Sequence, residues 1–335
     1  MKAPFPYFGG KSIVASDVWS ALGDCAHYIE PFCGSCAVLL NRPSWHKGSI
    51  ETVNDADGHI ANVWRALQWN PDEVAKWCDW PVNHADLIAR KRKLNLNTDV
   101  LLEKLCASPD YYDAKLAGYY VWSASCWIGS GLICPNQTPH LSDSGTGVHA
   151  KGKIPHICNG GKSVHKKSMM AEESDPTKDV RAPYELRVYA WFRALSERLR
   201  RVRVVCGDWR RVCGGNWQND KGPCGMFFDP PYSEVATRTK DCYAVDSQSV
   251  AHDVRAWCLE RGNEQDYRIV LAGYYEEHES LLDRGWDVRR WSAQGGYANL
   301  GKEETKGKTN RHREALFFSP HCVKQETLWT INAEG

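Results

Sequence analysis

The 335-residue chain has no apolar run long enough to span a bilayer, for which about 20 consecutive residues are needed. Its amino terminus, MKAPFPY, has no apolar core of the kind a secretory signal carries. The expectation is therefore a soluble, cytoplasmic protein without a membrane partner. An excess of either charge is also missing: 42 Lys and Arg face 41 Asp and Glu, a formal net charge of +1. Such a balance neither requires nor excludes a polyanionic partner, so local clustering has to decide. No internal repeat is visible. Paired metal-ligand spacing is absent as well: His149, His156, His165 and Cys158 do not fall into the pairs of a structural zinc site, and no metal is expected. The 14 cysteines are scattered, several of them in apolar segments (Cys126, Cys206, Cys258), which reads as buried, reduced thiols. Cys33-Gly-Ser-Cys36 has the redox spacing but not the flanking pattern of a thioredoxin-like fold.

What is present falls into three regions. In residues 1–58 a helix is expected around 12–22, a strand over 27–32, a small-residue turn with a short helix at 37–40, and a strand over 50–54 ending at Asp55. Residues 201–325 continue in that style, with strands over 202–206, 226–228 and 268–271 and a helix over 250–261. Segments 286–291 and 315–319 are expected to close the sheet as an antiparallel pair. This β-loop-α-β pattern predicts a mostly parallel, doubly wound sheet. Between them, 59–200 reads as a helical insert, with helices over 59–68, 85–94, 111–127 and 184–199; Pro183 suits the first turn of the last one. Trp64, Trp122, Trp127 and Trp191 of this insert read as core. Residues 129–182 have no periodicity and read as a long functional or disordered loop, and 326–335 as a tail.

Three strand ends carry candidate chemistry. The strand Tyr28-Ile29-Glu30 runs into Pro31-Phe32-Cys33-Gly34-Ser35-Cys36. Such a turn at a helix start lets backbone N–H groups hold a polar or anionic group. It is not G-x-G-x-x-G and no Lys-Ser/Thr follows it, so a dinucleotide or triphosphate is not its natural ligand. Asp55, ending the next strand, is either an acceptor for ribose hydroxyls or a plain helix cap; the preceding turn favours the first. Asp208, after the third, is placed to accept from an adenine amino group. Met226-Phe227-Phe228 then stops at Asp229-Pro230-Pro231-Tyr232. Two prolines cannot continue a ladder, so the backbone is stiffened at the strand edge where open α/β sheets bind ligands.

Six collinear stretches, PFPYFGGKS, YIEPFCGSCAVLL, TVNDADGHIANVWRAL, VVCGDW, FFDPPYS and NRHREALFFSP, resemble the DNA adenine-N6 methyltransferases. The likeness is to the branch that begins with the lysine motif and inserts its target-recognition domain before D-P-P-Y, which includes GATC-methylating and phage-borne enzymes. It implies an α/β, Rossmann-like class I methyltransferase fold, with a catalytic domain of residues 1–58 and 201–325 around a target-recognition insert. It implies S-adenosyl-L-methionine as methyl donor and adenine N6 in double-stranded DNA as acceptor, with the protein acting beside the nucleoid, in a restriction–modification or phage setting, as a monomer or weak dimer. Tyr7, Lys11, Phe32, Gly34, Asp55, Asp208 and Asp229 would line the cofactor site, and Asp229, Pro230, Pro231 and Tyr232 would be catalytic. One departure stands out: the family has a glycine where Cys36 stands, and a Cβ there is expected to narrow the turn. The other readings of the same residues are a catalytically weakened DNA-binding relative and N6-adenine methylation of RNA.

The chemistry of the motif follows from its atoms. An exocyclic amine conjugated to a purine is a poor nucleophile, and acceptors for its two N–H groups restore density to nitrogen. The Asp229 carboxylate and Pro230 carbonyl are two such acceptors, aimed at charge that develops in the transition state. A base inside a duplex must be extruded to reach them, and Tyr232 offers a ring on which to stack it. For the phosphate backbone, the sequence offers the acid-free cluster Lys151, Lys153, Lys162, Lys166 and Lys167, then Arg90 and Lys91 in the run ARKRK, and Arg311 in a third basic stretch.

Overall fold

The computed structural model describes residues 1–7, 9–44, 49–81, 83–127, 132–133, 184–214, 222–232, 249–291 and 313–324. Helix α1 (Ala15–Leu22) leads to β1 (His27–Glu30), whose four residues are all buried, and then to the short α2 (Ala37–Leu40). β2 (Ile50–Asp55) follows, and the Asp57 side chain accepts from His59 N to start α3 (Gly58–Trp69). Asn70 and Pro71 then start α4 (Pro71–Cys78), and Asn83 caps α5 (His84–Leu96). After α6 (Thr98–Ala107), Asp113 accepts from Leu116 N to cap α7 (Ala114–Cys126), and α8 (Tyr184–Leu199) returns to the sheet. β3 (Val202–Cys206), α9 (Arg210–Cys213), β4 (Cys224–Phe228), α10 (Val250–Arg261) and β5 (Tyr267–Tyr274) come next. The short α11 (Tyr275–His278) and a 3-10 turn lead to β6 (Asp287–Arg290) and β7 (Glu314–Phe318).

The seven strands lie in the order β3-β2-β1-β4-β5-β7-β6. β1 to β5 are parallel, and β7 enters between β5 and β6 antiparallel to both. This seven-stranded mixed sheet is consistent with the class I fold that the resemblance implies. β1 connects outward to β2 and β3 while β4 lies on its other side, so the chain reverses direction of travel between β1 and β4. Their carboxyl ends diverge there and open a crevice.

Both faces of the sheet are covered, which is why its strands read as apolar runs rather than alternating ones. Phe227, Val270 and Leu316 face the core shared with α1, α3 and α7, whereas Met226, Phe228, Ile269 and Phe317 face α10 and the 3-10 turn. Helix α7 is central among the helices between β2 and β3, packed by α3, α4 and α5. Gly118 permits this: a Cβ there would stand 2.4 Å from Trp77 Cβ and 2.8 Å from the Val74 carbonyl oxygen, so α4 crosses against bare backbone. The four tryptophans expected in the core are buried.

Besides the single-turn helices α9 and α11, two longer helices were not anticipated, α4 and α6. Each spans 8 to 10 residues, and each is started by an Asn-containing corner that resembles a loop in sequence. The helix expected over 111–127 starts later, at Ala114, because Asp113 caps it. Among the described residues no helix is long and apolar enough to cross a membrane, and the cysteines are unpaired, most of them buried. The expected loop at 129–182 and the tail at 326–335 fall, apart from Leu132 and Ile133, outside the described residues.

Candidate active site

Three loops at the carboxyl edge are tied together by Asn54, the penultimate residue of β2. Its Nδ2 donates to the Pro31 carbonyl (2.9 Å) and to the Gly207 carbonyl (3.0 Å), while its own carbonyl accepts from Cys33 N (2.9 Å). The turn after β1 is thereby fixed against the turn after β3. Gly34 sits at φ +44°, and a Cβ on it would meet the Tyr7 ring at 2.4 Å. Tyr7 therefore packs on bare backbone, which brings the amino-terminal segment onto the turn. Gly34 N donates to Asp55 Oδ2 and Asp57 N to Asp55 Oδ1, both at 2.9 Å, and the Gly34 carbonyl accepts from Trp64 Nε1. Burial, then the neighbouring Asp57 carboxylate, pushes the Asp55 carboxyl up to about 7.

These loops enclose a cavity of about 440 Å³ that runs from Asp55 and Asp208 to Lys11 and Asp229. Among the described residues six acidic side chains line it, those of Glu30, Asp55, Asp57, Asp208, Asp229 and Asp253, against two cations, Lys11 and Arg210. An acceptor-rich, anionic lining suits a ligand that carries hydroxyl and amino donors and a positive charge, and it repels phosphates. Glu30 is buried, accepts from Tyr28 Oη (2.9 Å) and Leu39 N (3.2 Å), and is pushed up to about 8 by burial. At the far end the half-exposed Asp208 accepts from Arg210 N (2.8 Å) and pairs with the Arg210 guanidinium (3.3 Å), which also reaches Asp253 (2.9 Å). Phe32 leans on Trp209 with ring centroids 6.2 Å apart.

Asp229 stands at the end of β4, beside the turn. Its Oδ1 lies 2.9 Å from Lys11 Nζ, which also donates to the Gly9 carbonyl (2.8 Å) and lies 3.9 Å from Glu314 Oε2. Burial pushes the Asp229 carboxyl up, the Lys11 ammonium pulls it back, and the balance stands at about 6. Burial acts to lower Lys11, but Asp229 and Glu314 together hold it above the ordinary lysine range. Tyr232 donates to Glu314 Oε1 (2.5 Å) and stacks on Tyr274, with centroids 4.0 Å apart and planes 14° from parallel. Pro230 is buried, and Pro231 lines the cavity. The corner from Asp229 to Tyr232 thus opens onto an acidic cleft.

Residues 7–114 match the family model of the D12 class N6 adenine-specific DNA methyltransferases. That match covers about a third of the chain and makes it similar to the family there. The family's activity is transfer of a methyl group from S-adenosyl-L-methionine to adenine N6 in DNA. No curated protein matches the chain. The lining fits this donor: its sulfonium and ammonium charges and its hydroxyl and amino donors meet carboxylates throughout.

Two expectations about the chain need correction. Arg90 and Lys91 do not present a basic surface, because both are 5% exposed. Arg90 donates to the Trp77 carbonyl and lies over the rings of Tyr119 and Trp122, at 4.4 and 4.3 Å; Lys91 donates to the Leu132 carbonyl and lies over Trp127. Their charges hold the helices together, and of the cations in that run Arg92 and Lys93 face solvent. Cys36 does not narrow the cavity either. It adopts the left-handed conformation (φ 50°) that glycine would favour, but its side chain is wholly buried in the core and forms no part of the cavity lining. Lys151, Lys153, Lys162, Lys166, Lys167 and Arg311 lie outside the described residues. Sequence reasoning also passed over Asn54, Glu30, Tyr274 and Glu314. Glu314 lies in the quoted NRHREALFFSP stretch, yet only the sheet register, which sets it opposite Tyr274, brings it to Tyr232.

Proposed function

We propose that the corner Asp229-Pro230-Pro231-Tyr232 activates the amino group of an adenine extruded from double-stranded DNA. The Asp229 carboxylate and Pro230 carbonyl accept from its two N–H groups, and the Tyr232 ring supports the base, a contact worth roughly 1–3 kcal/mol. Tyr232 already carries Tyr274 on one face, so the base extends a stack that exists before it arrives. The single observation that carries this reading is the placement of Asp229. It lines the same cavity as Gly34 and Asp55, paired with Lys11 at the crevice between β1 and β4.

In this reading Asp55 holds the ribose: its carboxylate spends one lone pair on each backbone N–H and keeps others for hydroxyl donors. Asp208 takes the adenine end of the cofactor, while Tyr7, Lys11, Phe32 and Gly34 shape its methionine end. When bound, S-adenosyl-L-methionine supplies an electrophilic methyl on a sulfonium centre. The protein's own part is to hold acceptors in place and to exclude water, and no metal is called for. Residues 1–58 with 201–325 form the catalytic unit, and 59–200 reads the target. Lys151, Lys153, Lys162, Lys166, Lys167 and Arg311 contact phosphates. The protein acts in the compartment that holds the DNA, as a monomer or weak dimer, in a restriction–modification or phage context.

The test is transfer of labelled methyl from S-adenosyl-L-methionine to adenine-containing duplex, single-stranded DNA and RNA, followed by nucleoside digestion. The label is expected in N6-methyladenine from duplex DNA. Tight cofactor binding with no transfer to any DNA would overturn the reading, and preferential label in RNA would change the acceptor. Modification-calling sequencing of DNA from expressing cells then gives the target sequence.

A further inference from the structure

If Asp229 is to accept from an adenine amino group, its Oδ1 must be available, and it is taken. Lys11 Nζ sits 2.9 Å from that oxygen. An ammonium left there would also repel the positive charge that grows on the amine as it attacks. Lys11 cannot retreat to water, because its side chain is 3% exposed, so it needs a second anion within reach. Glu314 supplies one. Its Oε1 accepts from Tyr232, while its Oε2 is buried, has no hydrogen-bond partner among the described residues, and lies 3.9 Å from Lys11 Nζ. A buried carboxylate oxygen without a donor is costly and calls for explanation.

We propose that Glu314 is a positioning residue that receives the Lys11 ammonium as the target base enters, releasing Asp229 Oδ1 to the base. This rests on the functional reading above. The movement is small: shortening 3.9 Å to the 2.9 Å that Lys11 now makes with Asp229 takes about 1 Å. The proton stays on Lys11 throughout, and only hydrogen bonds change partner. Glu314 is held for the task by its place in β7, opposite Tyr274 in the ladder, and by the Tyr232 phenol. One ammonium between two carboxylates leaves a net negative charge where positive charge is to develop. The Lys11 carbonyl anchor at Gly9 (2.8 Å) acts as a pivot common to both positions.

Glu314→Gln keeps an acceptor for Tyr232 but removes the anion. The single-turnover methyl-transfer rate on duplex is expected to fall at least tenfold, with cofactor Kd and the KM for DNA changed less than twofold. A cycle separates this role from support of Tyr232, run at about pH 10, above the acid limb of every variant, so that Asp229 is ionised throughout. In a Lys11→Met background Glu314→Gln is expected to cost nothing further, because no ammonium remains to be received. In a Tyr232→Phe background the full fall should persist. A parental rate in Glu314→Gln, or an undiminished fall in the Lys11→Met background, would overturn the proposal. Should Glu314→Gln fail to fold, Lys11→Arg serves: a planar fork that grips both carboxylates retains Asp229, so the rate should drop tenfold, and a parental rate would refute the exchange. The unmodified protein is assayed alongside. If it methylates nothing, the functional reading itself fails, and this inference with it.

Discussion

Replacing Lys11 with methionine should move the acid limb of the activity profile upward, and the structure sets the size of the move. Asp229 must be ionised to accept from an amine; protonated, it becomes a donor aimed at a donor. In the cofactor-free protein its carboxyl stands at about 6, raised by burial and by Glu314, and lowered by Lys11. Removing Lys11 leaves only the raising influences. An opposite charge this close is worth roughly 1–3 pKa units, which sets the variant's limb at about 7–9. At pH 7 a parent limb at about 6 leaves Asp229 nine-tenths ionised, so the variant should be roughly 2- to 90-fold slower, each unit being about 1.4 kcal/mol. The assay is kcat/KM for duplex across about pH 5–10 at saturating cofactor, which reports the ionisations of the enzyme before DNA binds. The variant should recover toward the parental rate as pH rises to about 10. A Lys11→Met profile that superimposes on the parent's after scaling would refute the electrostatic reasoning, since lost packing lowers the rate at every pH alike.

Two further outcomes follow from the same coordinates. Glu51 is buried between Arg42 (3.1 Å) and Arg198 (2.7 Å), which joins α8 to β2; Glu51→Gln removes the anion that two buried guanidiniums share and should cost about 3–5 kcal/mol, read as a lower urea midpoint at unchanged m-value. Cys36→Gly relieves a left-handed residue, worth roughly 1–2 kcal/mol, at the loss of a buried thiol, and should leave cofactor Kd within about twofold, or ~0.4 kcal/mol. A Kd that tightens tenfold would show that the side chain does reach the cavity.

The strands were legible because each is a short buried run that ends at a polar or Pro/Gly stop, and periodicity does not have to resolve which face is which when both are covered. The crevice was legible for the same reason: Gly34, Asp55, Asp208 and Asp229 each end or follow a strand, and a parallel sheet brings such ends to one edge. What could not be read depends on contacts between residues distant in sequence. The Tyr232–Glu314 bond joins positions 82 residues apart, and Arg198 reaches Glu51 across 147. The run ARKRK misled for a related reason. Charge density in a line of sequence carries no information on which side of a helix faces neighbouring tryptophans, and Arg90 and Lys91 lie on that side. At Cys36 the family pattern pointed to a conformation, φ > 0, and the structure retains the conformation while turning the side chain into the core.

The central claim is that the Asp229 carboxylate makes the target amine reactive. Labelled methyl transfer to adenine in duplex DNA by Asp229→Ala, measured together with cofactor Kd on the same preparation, tests it most directly. The expected result is a rate lower by at least about 10²–10³-fold, the scale set by removal of one preorganised acceptor or donor, with Kd changed only a few-fold. Transfer to N6 at the parental rate by that variant would contradict it.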